Sequence, residues 1–161
     1  MLNNFLPKCS FNSAFSLATP KNHIILTEIT KKSKAYWNYS EEQLQKWDEE
    51  LTITERYIEE NEVYILMEKE TVIAYYSFFK VDTDTIKLDN LFLLPSFIGK
   101  GYGKLLVNDF MKKVKAIQAK KIVLDADPNA ELFYKKLDFI TVAKLKTSIE
   151  GRFLRIMERK L

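Results

Sequence analysis

Residues 95–106 read PSFIGKGYGKLL, and this stretch decides the fold. Three of the four glycines of the chain lie in it, at positions 99, 101 and 103. Glycine at this density costs backbone entropy, so it indicates a backbone that must adopt positive φ or let a ligand approach closely. A strand-like apolar run precedes the stretch and a helix-like run follows it. Such an arrangement directs unpaired N–H groups and the positive end of a helix dipole at one point, which predicts an anion site.

The spacing of these glycines disfavours two familiar phosphate-binding loops. A Walker loop requires GxxxxGK followed by Ser or Thr, but Leu105 follows Lys104 here. A Rossmann loop requires GxGxxG near the start of a βαβ unit, whereas this loop has a different third step and lies in the second half of the chain. A kinase, ATPase or dinucleotide-binding role is therefore disfavoured.

The composition bounds the class of protein. A chain of 161 residues, 47% of them hydrophobic, has the length of one domain with a buried core. Residues 1–161 are therefore expected to form a single domain, with residues 1–12 as a loosely ordered N-terminal extension. A net charge of +3, from 25 basic and 22 acidic residues mixed along the chain, disfavours nucleic-acid partners.

The single cysteine and the single histidine limit the chemistry. Cys9 is the only cysteine and His23 the only histidine, so neither an intramolecular disulfide nor a zinc site is expected. Any chemistry that the protein carries out is predicted to need no metal. No apolar run is long enough to span a bilayer, and the first residues lack the pattern of a signal peptide. We therefore expect a cytoplasmic protein without a membrane partner.

The order of helical and extended patterns predicts an α/β domain with a mixed sheet. Strands are predicted before the loop at residues 13–19, 62–68, 71–81 and 85–94, and after it at 122–126, 140–149 and 153–158. Helices are predicted from residues 20 to 37, behind Ser40, and from Thr52 with Glu55 to residue 61. Further helices are predicted behind the loop, with a buried stripe of Leu106, Phe110, Val114 and Ile117, and after residues 127–129.

Two segments resemble the signatures of the GCN5-related N-acetyltransferase (GNAT) superfamily. They are residues 95–106 and the later stretch DPNAELFY at residues 127–134; the first half of the chain matches in pattern alone. The resemblance implies a mixed, mostly antiparallel central sheet of about seven strands with helices on both faces. It also implies acetyl-CoA as co-substrate and transfer of its acetyl group to a primary amine of a small molecule or a protein.

The resemblance assigns the loop backbone to the pyrophosphate of coenzyme A. Lys100 and Lys104 are available to neutralise its charge. Ile98 stands where the family carries Arg or Gln, so the backbone must supply most of the binding. Asp138 stands where the family has Gly, which affects a helix end more than the chemistry. The residues assigned to the coenzyme are Leu93, Leu94, Ile98, Gly99, Lys100, Gly101, Tyr102, Gly103, Lys104, Asn129, Phe133 and Tyr134.

The implied reaction, direct attack of the amine through a tetrahedral intermediate, needs a base and an oxyanion donor. An alkylammonium has a pKa near 10.4, so an acidic residue must receive its proton. Asp89 stands where many relatives carry such a residue, and it shares strand parity with Leu91 and Leu93. The alternative for Asp89 is an exposed strand carboxylate. A backbone N–H near Leu93 or Leu94 is expected to bind the thioester oxygen.

The departing thiolate needs a proton donor, and Tyr134 matches the residue that supplies it in the family. Spacing alone favours Tyr134 as a core residue, since it lies on an apolar stripe with Phe133 and Leu137. The resemblance favours the acid role. Removing such an acid typically costs on the order of 100-fold in rate.

The acceptor pocket is expected at the first two helices. Tyr36, Trp37 and Tyr39 cluster there, and an aromatic group can hold a cationic or planar amine, although helix packing explains the cluster equally well. An acyl-CoA-binding sensor or interaction module without turnover remains the alternative function. The aromatic-rich strands at the C-terminus are compatible with a homodimer.

Overall fold

The structure of the protein is a computed structural model that describes residues 13–161. The expectations for residues 1–12, Cys9 included, lie outside the described residues. The strands are β1 (Ser13–Leu17), β2 (Glu62–Glu68), β3 (Thr71–Lys80), β4 (Thr85–Leu93), β5 (Lys121–Ala126), β6 (Ile140–Lys146) and β7 (Phe153–Lys160). The helices are α1 (His23–Ala35), α2 (Glu41–Lys46), α3 (Glu55–Glu60), α4 (Tyr102–Ala116) and α5 (Glu131–Lys135).

All seven strands belong to one sheet, in the order β1-β2-β3-β4-β5-β7-β6. Neighbouring strands run antiparallel except for β4 and β5, which run parallel. The parallel pair is joined by the loop at residues 94–101 and by α4, as a parallel connection requires. The mixed, mostly antiparallel sheet that the sequence predicted is confirmed.

The sheet opens between β4 and β5. Parallel pairing joins Thr85–Lys87 to Lys121–Val123, and the described pairing between these two strands ends there. Further along, β4 stays with β3 as far as Leu93, while β5 stays with β7 as far as Ala126. A gap therefore separates the carboxyl ends of β4 and β5, which is where ligands bind in many open sheets.

Helix α4 covers one face of the sheet. Leu106, Phe110 and Val114 are fully buried, as the predicted stripe requires, and they pack with residues of β2 to β5. The prediction that Ile117 is the fourth buried residue of this stripe is wrong. Ile117 follows the last residue of α4 and is 42% exposed, because the helix ends before its side chain can turn back to the sheet.

Helix α1 covers the opposite face. Its buried residues Leu26 and Ile29 pack with Tyr75 of β3, and the Tyr75 hydroxyl lies 2.5 Å from the hydroxyl of Thr30. Successive residues of β3 point to opposite faces, so Tyr75 belongs to the α1 core while Tyr76 belongs to the α4 core. Helices on both faces are confirmed.

The helix starts follow capping chemistry, with one correction. Ser40 Oγ accepts a hydrogen bond from the Gln43 N–H at 3.1 Å, so Ser40 caps α2 as predicted. Thr54, and not Thr52, caps α3, because its Oγ1 accepts from the Tyr57 N–H at 3.0 Å. Thr52 and Thr54 both lie shortly before Glu55 in the first turn of α3, so the capping pattern in the sequence matched Thr52 instead of Thr54.

Candidate functional site

The loop between β4 and α4 has the backbone geometry that its glycines predict. Gly99 and Gly101 have φ values of 78° and 88°, in the left-handed region that side chains disfavour. Gly101 is the N-cap of α4, and its carbonyl accepts from the Leu105 N–H at 3.1 Å. The first turn of this 15-residue helix directs its N–H groups and the positive end of the helix dipole to the same side.

Gly103 serves close packing. A Cβ atom at this position would lie 3.1 Å from the ring atom Cε2 of Phe133. Glycine therefore lets the first turn of α4 approach the ring of Phe133 on α5. The three glycines of the loop thus serve two physical needs, positive φ at two positions and close approach at the third.

A cavity of about 970 Å³ lies at the gap between β4 and β5. Its wall includes Gly99, Gly101, Gly103 and Lys104 of the loop and its helix, and residues Asp89 to Leu93 of β4. The wall also includes the end of β5, the start of α5, helix α1, Trp47, Glu50 and Leu51 behind α2, and the segment between β6 and β7. One continuous space therefore connects the positive helix terminus with two separate groups of polar side chains.

Tyr134 lies in the wall of this cavity. Its side chain is 7% exposed, and its ring packs between Phe133 and Phe139 at centroid distances of 5.0 and 5.6 Å. Within the described part of the chain, no group forms a hydrogen bond with its hydroxyl. Burial raises the pKa of this hydroxyl, so it stays protonated at neutral pH. The ring of Tyr134 is therefore part of the core, and the residue also lines the cavity.

Asp89 lies at a bulge of β4. Asn90 pairs with Ser77 of β3, and Leu88 pairs with Phe78, so Asp89 is the extra residue. The bulge interrupts the simple alternation from which the strand parity of Asp89 was predicted. Asp89 is exposed and nevertheless lines the cavity.

A hydrogen-bond network holds the Asp89 carboxylate. The Tyr57 hydroxyl donates to it, and this same hydroxyl accepts from Asn90 Nδ2 at 2.7 Å and lies 2.7 Å from Ser77 Oγ. Burial, followed by the hydrogen bond to Asp89, raises the pKa of Tyr57. The phenol therefore stays protonated, and a protonated phenol can orient a carboxylate toward the cavity.

The register of β4 distinguishes Leu93 from Leu94 as a possible oxyanion donor. The Leu94 N–H donates to the Ile73 carbonyl of β3 at 2.9 Å, so it is already used. Leu93 faces Ala74, the neighbouring pair, and hydrogen-bonded pairs alternate with non-bonded pairs in an antiparallel ladder. The Leu93 N–H therefore points away from β3, toward the gap.

A second polar group, which we term the Asp127 cluster, comprises Lys34, Tyr39, Trp47, Asp127 and Arg152. Lys34 Nζ, Tyr39 OH and Arg152 Nη2 all donate to Asp127 Oδ2, at 2.7, 2.8 and 2.8 Å. The rings of Tyr39 and Trp47 meet edge to face at 4.9 Å. Lys34 Nζ and Arg152 Cζ lie 5.1 to 5.3 Å from the centroids of both rings.

Charge pairing sets the ionisation of the Asp127 cluster. Burial raises the pKa of the Asp127 carboxyl, but the hydrogen bond and charge of Lys34, with the Asn129 N–H and Arg152, outweigh burial and hold that pKa well below 3.8. Burial lowers the pKa of Lys34, and Asp127 opposes this effect. The carboxylate is therefore ionised at neutral pH, beside two cationic side chains.

The aromatic residues predicted for the acceptor pocket have different positions. Trp37 lines the cavity, and Tyr39 belongs to the Asp127 cluster. Tyr36 packs against Trp37 at 5.0 Å but does not line the described cavity. Of the three, the structure therefore places only Trp37 in the cavity wall; Tyr39 contacts lining residues through its bonds to Asp127 and Arg152, and Tyr36 lies on an exposed surface.

Some of the remaining residues predicted to bind the coenzyme line the cavity, and others support the structure around it. Ile98 and Asn129 line the cavity, and Asn129 Nδ2 donates to Asp127 Oδ1 at 2.9 Å. Lys100 does not line the described cavity, and its Nζ lies 5.9 Å from the Phe97 ring. The buried Tyr102 donates its hydroxyl to Glu68 and supports the start of α4. Of the two predicted loop cations, Lys104 is the one in the wall.

Sequence reasoning missed Tyr57, Lys34 and Arg152. These residues lie far apart along the chain, and only the sheet brings them to the cavity. Asp127 was quoted within the second motif, without a charge partner. Asp127 also caps the turn at Pro128–Ala130, since its Oδ1 accepts from the Asn129 N–H at 3.0 Å.

Two general features concern residues 13–161. This part of the chain contains no group of three or more histidine, cysteine, aspartate or glutamate side chains with the arrangement to hold a metal ion. None of its helices combines the length and the apolar character needed to cross a membrane.

Comparison with known proteins points in one direction. The family described as the acetyltransferase (GNAT) domain matches residues 36–160. A comparison with curated protein sequences gives no match.

Several solved structures share the fold. PaiA N-acetyltransferase from Thermoplasma acidophilum, solved with coenzyme A, has 20% identity and a TM-score of 0.77, over 92% of this chain and 99% of that chain. A GNAT family acetyltransferase from Elizabethkingia anophelis, solved with acetyl-CoA, has 18% identity and a TM-score of 0.68, over 93% and 99%. A spermidine N-acetyltransferase chimera from Vibrio cholerae and hSSAT has 16% identity and a TM-score of 0.70, over 91% and 94%.

Proposed function

Because this chain belongs to the acetyltransferase (GNAT) domain family, we propose that it transfers the acetyl group of acetyl-CoA to a primary amine of a small molecule or a protein. The observation that carries this proposal is the single cavity in which the N-terminus of α4, Tyr134 and Asp89 meet. An anion site, an acid and a base are the three parts that amine acetylation requires.

The residues at the gap fit coenzyme A. The N–H groups in the first turn of α4, with Lys104, would hold its diphosphate, and Ile98, Asn129 and Phe133 would contact the rest of the molecule. Bound acetyl-CoA supplies an acyl group activated as a thioester. The Leu93 N–H, which points into the gap, would donate to the carbonyl oxygen of that acyl group.

Asp89 and Tyr134 divide the proton transfers. Asp89 would accept the proton of the acceptor ammonium, directly or through water, and the Tyr57 hydroxyl positions its carboxylate. Tyr134 would protonate the departing thiolate. Burial raises the pKa of this hydroxyl, so it is still protonated when the thiolate departs.

We expect Asp89→Asn to lower kcat/KM about tenfold near pH 7.5, with a smaller loss near pH 9.5, where more of the amine is already neutral. The pH profile of thiol release measures this effect. Asp125→Asn is the matched control, since Asp125 lines the same cavity but is paired with Lys87 at 2.8 Å. An equal loss at both pH values would contradict the base role of Asp89.

Thermal unfolding with acetyl-CoA, coenzyme A, NAD and ATP tests the ligand. A ligand at 100 times its Kd adds about 2.7 kcal/mol to the free energy of unfolding, which raises the unfolding temperature measurably. We expect this shift with the two CoA ligands alone. A shift with NAD and none with coenzyme A would contradict the proposal and favour a nucleotide site.

The alternative function is a domain that binds acyl-CoA as a sensor or interaction module. Such a domain would show the same thermal shift with coenzyme A, but it would release no thiol with any amine. A thiol-release assay over a panel of amines therefore separates the two functions.

A further inference from the structure

We propose that the acceptor is a small amine that also carries a carboxylate, and that Arg152 and Lys34 bind this carboxylate. The inference rests on the proposed acetyl transfer and names the substrate class of the same cavity. The binding place is the part of the wall where α1, the end of β5 and the segment between β6 and β7 meet.

Asp127 does not accept hydrogen bonds from all the N–H groups of Lys34 and Arg152. Its Oδ2 accepts from Lys34, Tyr39 and Arg152, and its Oδ1 accepts from the N–H and Nδ2 of Asn129. The carboxylate is therefore saturated with hydrogen bonds. In Arg152, Nη2 donates to Asp127 and Nε donates to the Tyr39 hydroxyl at 2.9 Å. The third nitrogen, Nη1, has no partner in residues 13–161.

Nη1 of Arg152 and the other N–H groups of Lys34 Nζ are thus donors without acceptors among residues 13–161. Both side chains line the cavity, with side-chain exposures of 12% and 14%. Shielded donors with a positive charge favour an anionic partner, and a planar guanidinium matches a carboxylate.

The charges in the wall agree with an anionic partner. Among the described lining residues, Lys104 faces the diphosphate site in the proposal, Asp89 is the proposed base, and Asp125 is paired with Lys87. The described wall has four basic and four acidic residues. Those that remain are Lys34, Lys146 and Arg152 against Glu50 and Asp127, so the part of the wall outside the diphosphate site and the base has one more basic than acidic residue.

The aromatic rings do not form a free cage for a cation. Lys34 and Arg152 already lie over Tyr39 and Trp47, at 5.1 to 5.3 Å from the ring centroids. An acceptor with several positive charges would therefore meet two cations where it needs open ring faces. A polyamine is disfavoured for this reason.

The decisive experiment compares amines that differ only in the carboxylate. Alanine, leucine and phenylalanine are each assayed as the free acid and as the carboxamide, with spermidine as the polycation. Rates are expressed per unit of neutral amine, since the amide lowers the pKa of the amino group. We expect kcat/KM to favour the free acids about tenfold or more, as for a hydrogen bond to a charged group, and to be lowest for spermidine.

Arg152→Gln is the test variant, and Arg155→Gln is its matched control. Arg155 lies in β7, three residues after Arg152, pairs with Glu131 at 2.9 Å and does not line the described cavity. We expect the preference for the acid to fall toward one in Arg152→Gln and to persist in Arg155→Gln. A merely structural role of Arg152 would lower the rates for acid and amide alike, and that result would overturn the proposal.

Inhibition of the unmodified protein by the acetylated product tests the same inference without a variant. N-acetylphenylalanine is expected to compete with the amine at least about tenfold more strongly than its amide. Acetyl transfer without any preference for the acids would overturn this inference and leave the transferase function intact. Absence of both transfer and stabilisation by coenzyme A would instead overturn the proposed function.

Discussion

Tyr134→Phe is expected to lower kcat about 100-fold or more while coenzyme A still stabilises the protein. The substitution removes the hydroxyl alone, because the ring keeps its packing between Phe133 and Phe139. No described residue bonds to that hydroxyl, so its loss costs the fold no hydrogen bond. Thiol release from acetyl-CoA in the presence of an accepted amine measures the rate, and thermal unfolding with coenzyme A measures binding.

The matched control for this prediction is Tyr64→Phe. The Tyr64 hydroxyl donates to Glu62 Oε2 at 3.2 Å, and Tyr64 does not line the described cavity. Its removal is expected to leave the rate unchanged. Retention of most activity in Tyr134→Phe would show that another group protonates the thiolate, and Tyr134 would then be a core residue only.

Asp127→Asn is expected to lower the free energy of unfolding by about 3 kcal/mol or more. The substitution keeps the shape of the side chain but removes the negative charge that Lys34 and Arg152 share, at side-chain exposures of 12% to 14%. Two shielded cations would then face each other without the carboxylate that accepts hydrogen bonds from both. Urea unfolding of both proteins near pH 7 measures the difference.

The pH dependence of that difference follows from the sign of the pKa shift. The pKa of Asp127 is lower in the folded chain than its ordinary value of 3.8, so the carboxylate stabilises the fold above that value. This stabilisation is lost as the pH falls from about 4 toward the folded pKa. The two proteins are therefore expected to converge in stability in acid.

An exposed ion pair supplies the control for Asp127→Asn. Asp84 and Lys120 meet at 2.9 Å with side-chain exposures of 50% and 74%, so Asp84→Asn is expected to cost less than about 1 kcal/mol. The additional change Arg152→Gln is expected to recover part of the stability lost in Asp127→Asn, because it removes one of the unbalanced cations. A loss at Asp127 no larger than that at Asp84 would contradict this account of the cluster.

Local chemistry explains which parts of the fold the sequence predicts. The glycine loop, the strand order along the chain and the buried face of α4 depend on neighbouring residues, so their patterns are visible in one chain. The end of that face at Ile117 and the choice of Thr54 as a cap depend on where a helix begins or ends. Such boundaries shift by a residue or two without changing the apolar pattern.

The candidate site was predictable only where a motif carried it. The loop glycines and Tyr134 lie within the two motifs, and the structure places them in one cavity. The bulge at Asp89 depends on the register of β4 against β3, which a strand pattern does not contain. The contact of Lys34 with Arg152 through Asp127 joins distant parts of the chain, so no local pattern could indicate it.

The gap between β4 and β5 also bears on the order in which the chain assembles. Strands β2, β3 and β4 are successive hairpins with local contacts, which form at a low entropic cost. The link from β4 to β5 must close across the whole of α4 for only three residue pairs, Thr85 to Lys87 with Lys121 to Val123. The pairing of β4 with β5 is therefore expected to form late in folding. A molecule bound in the gap contacts the parts of the sheet on both sides of it, so it would mainly slow unfolding and would do little to speed folding.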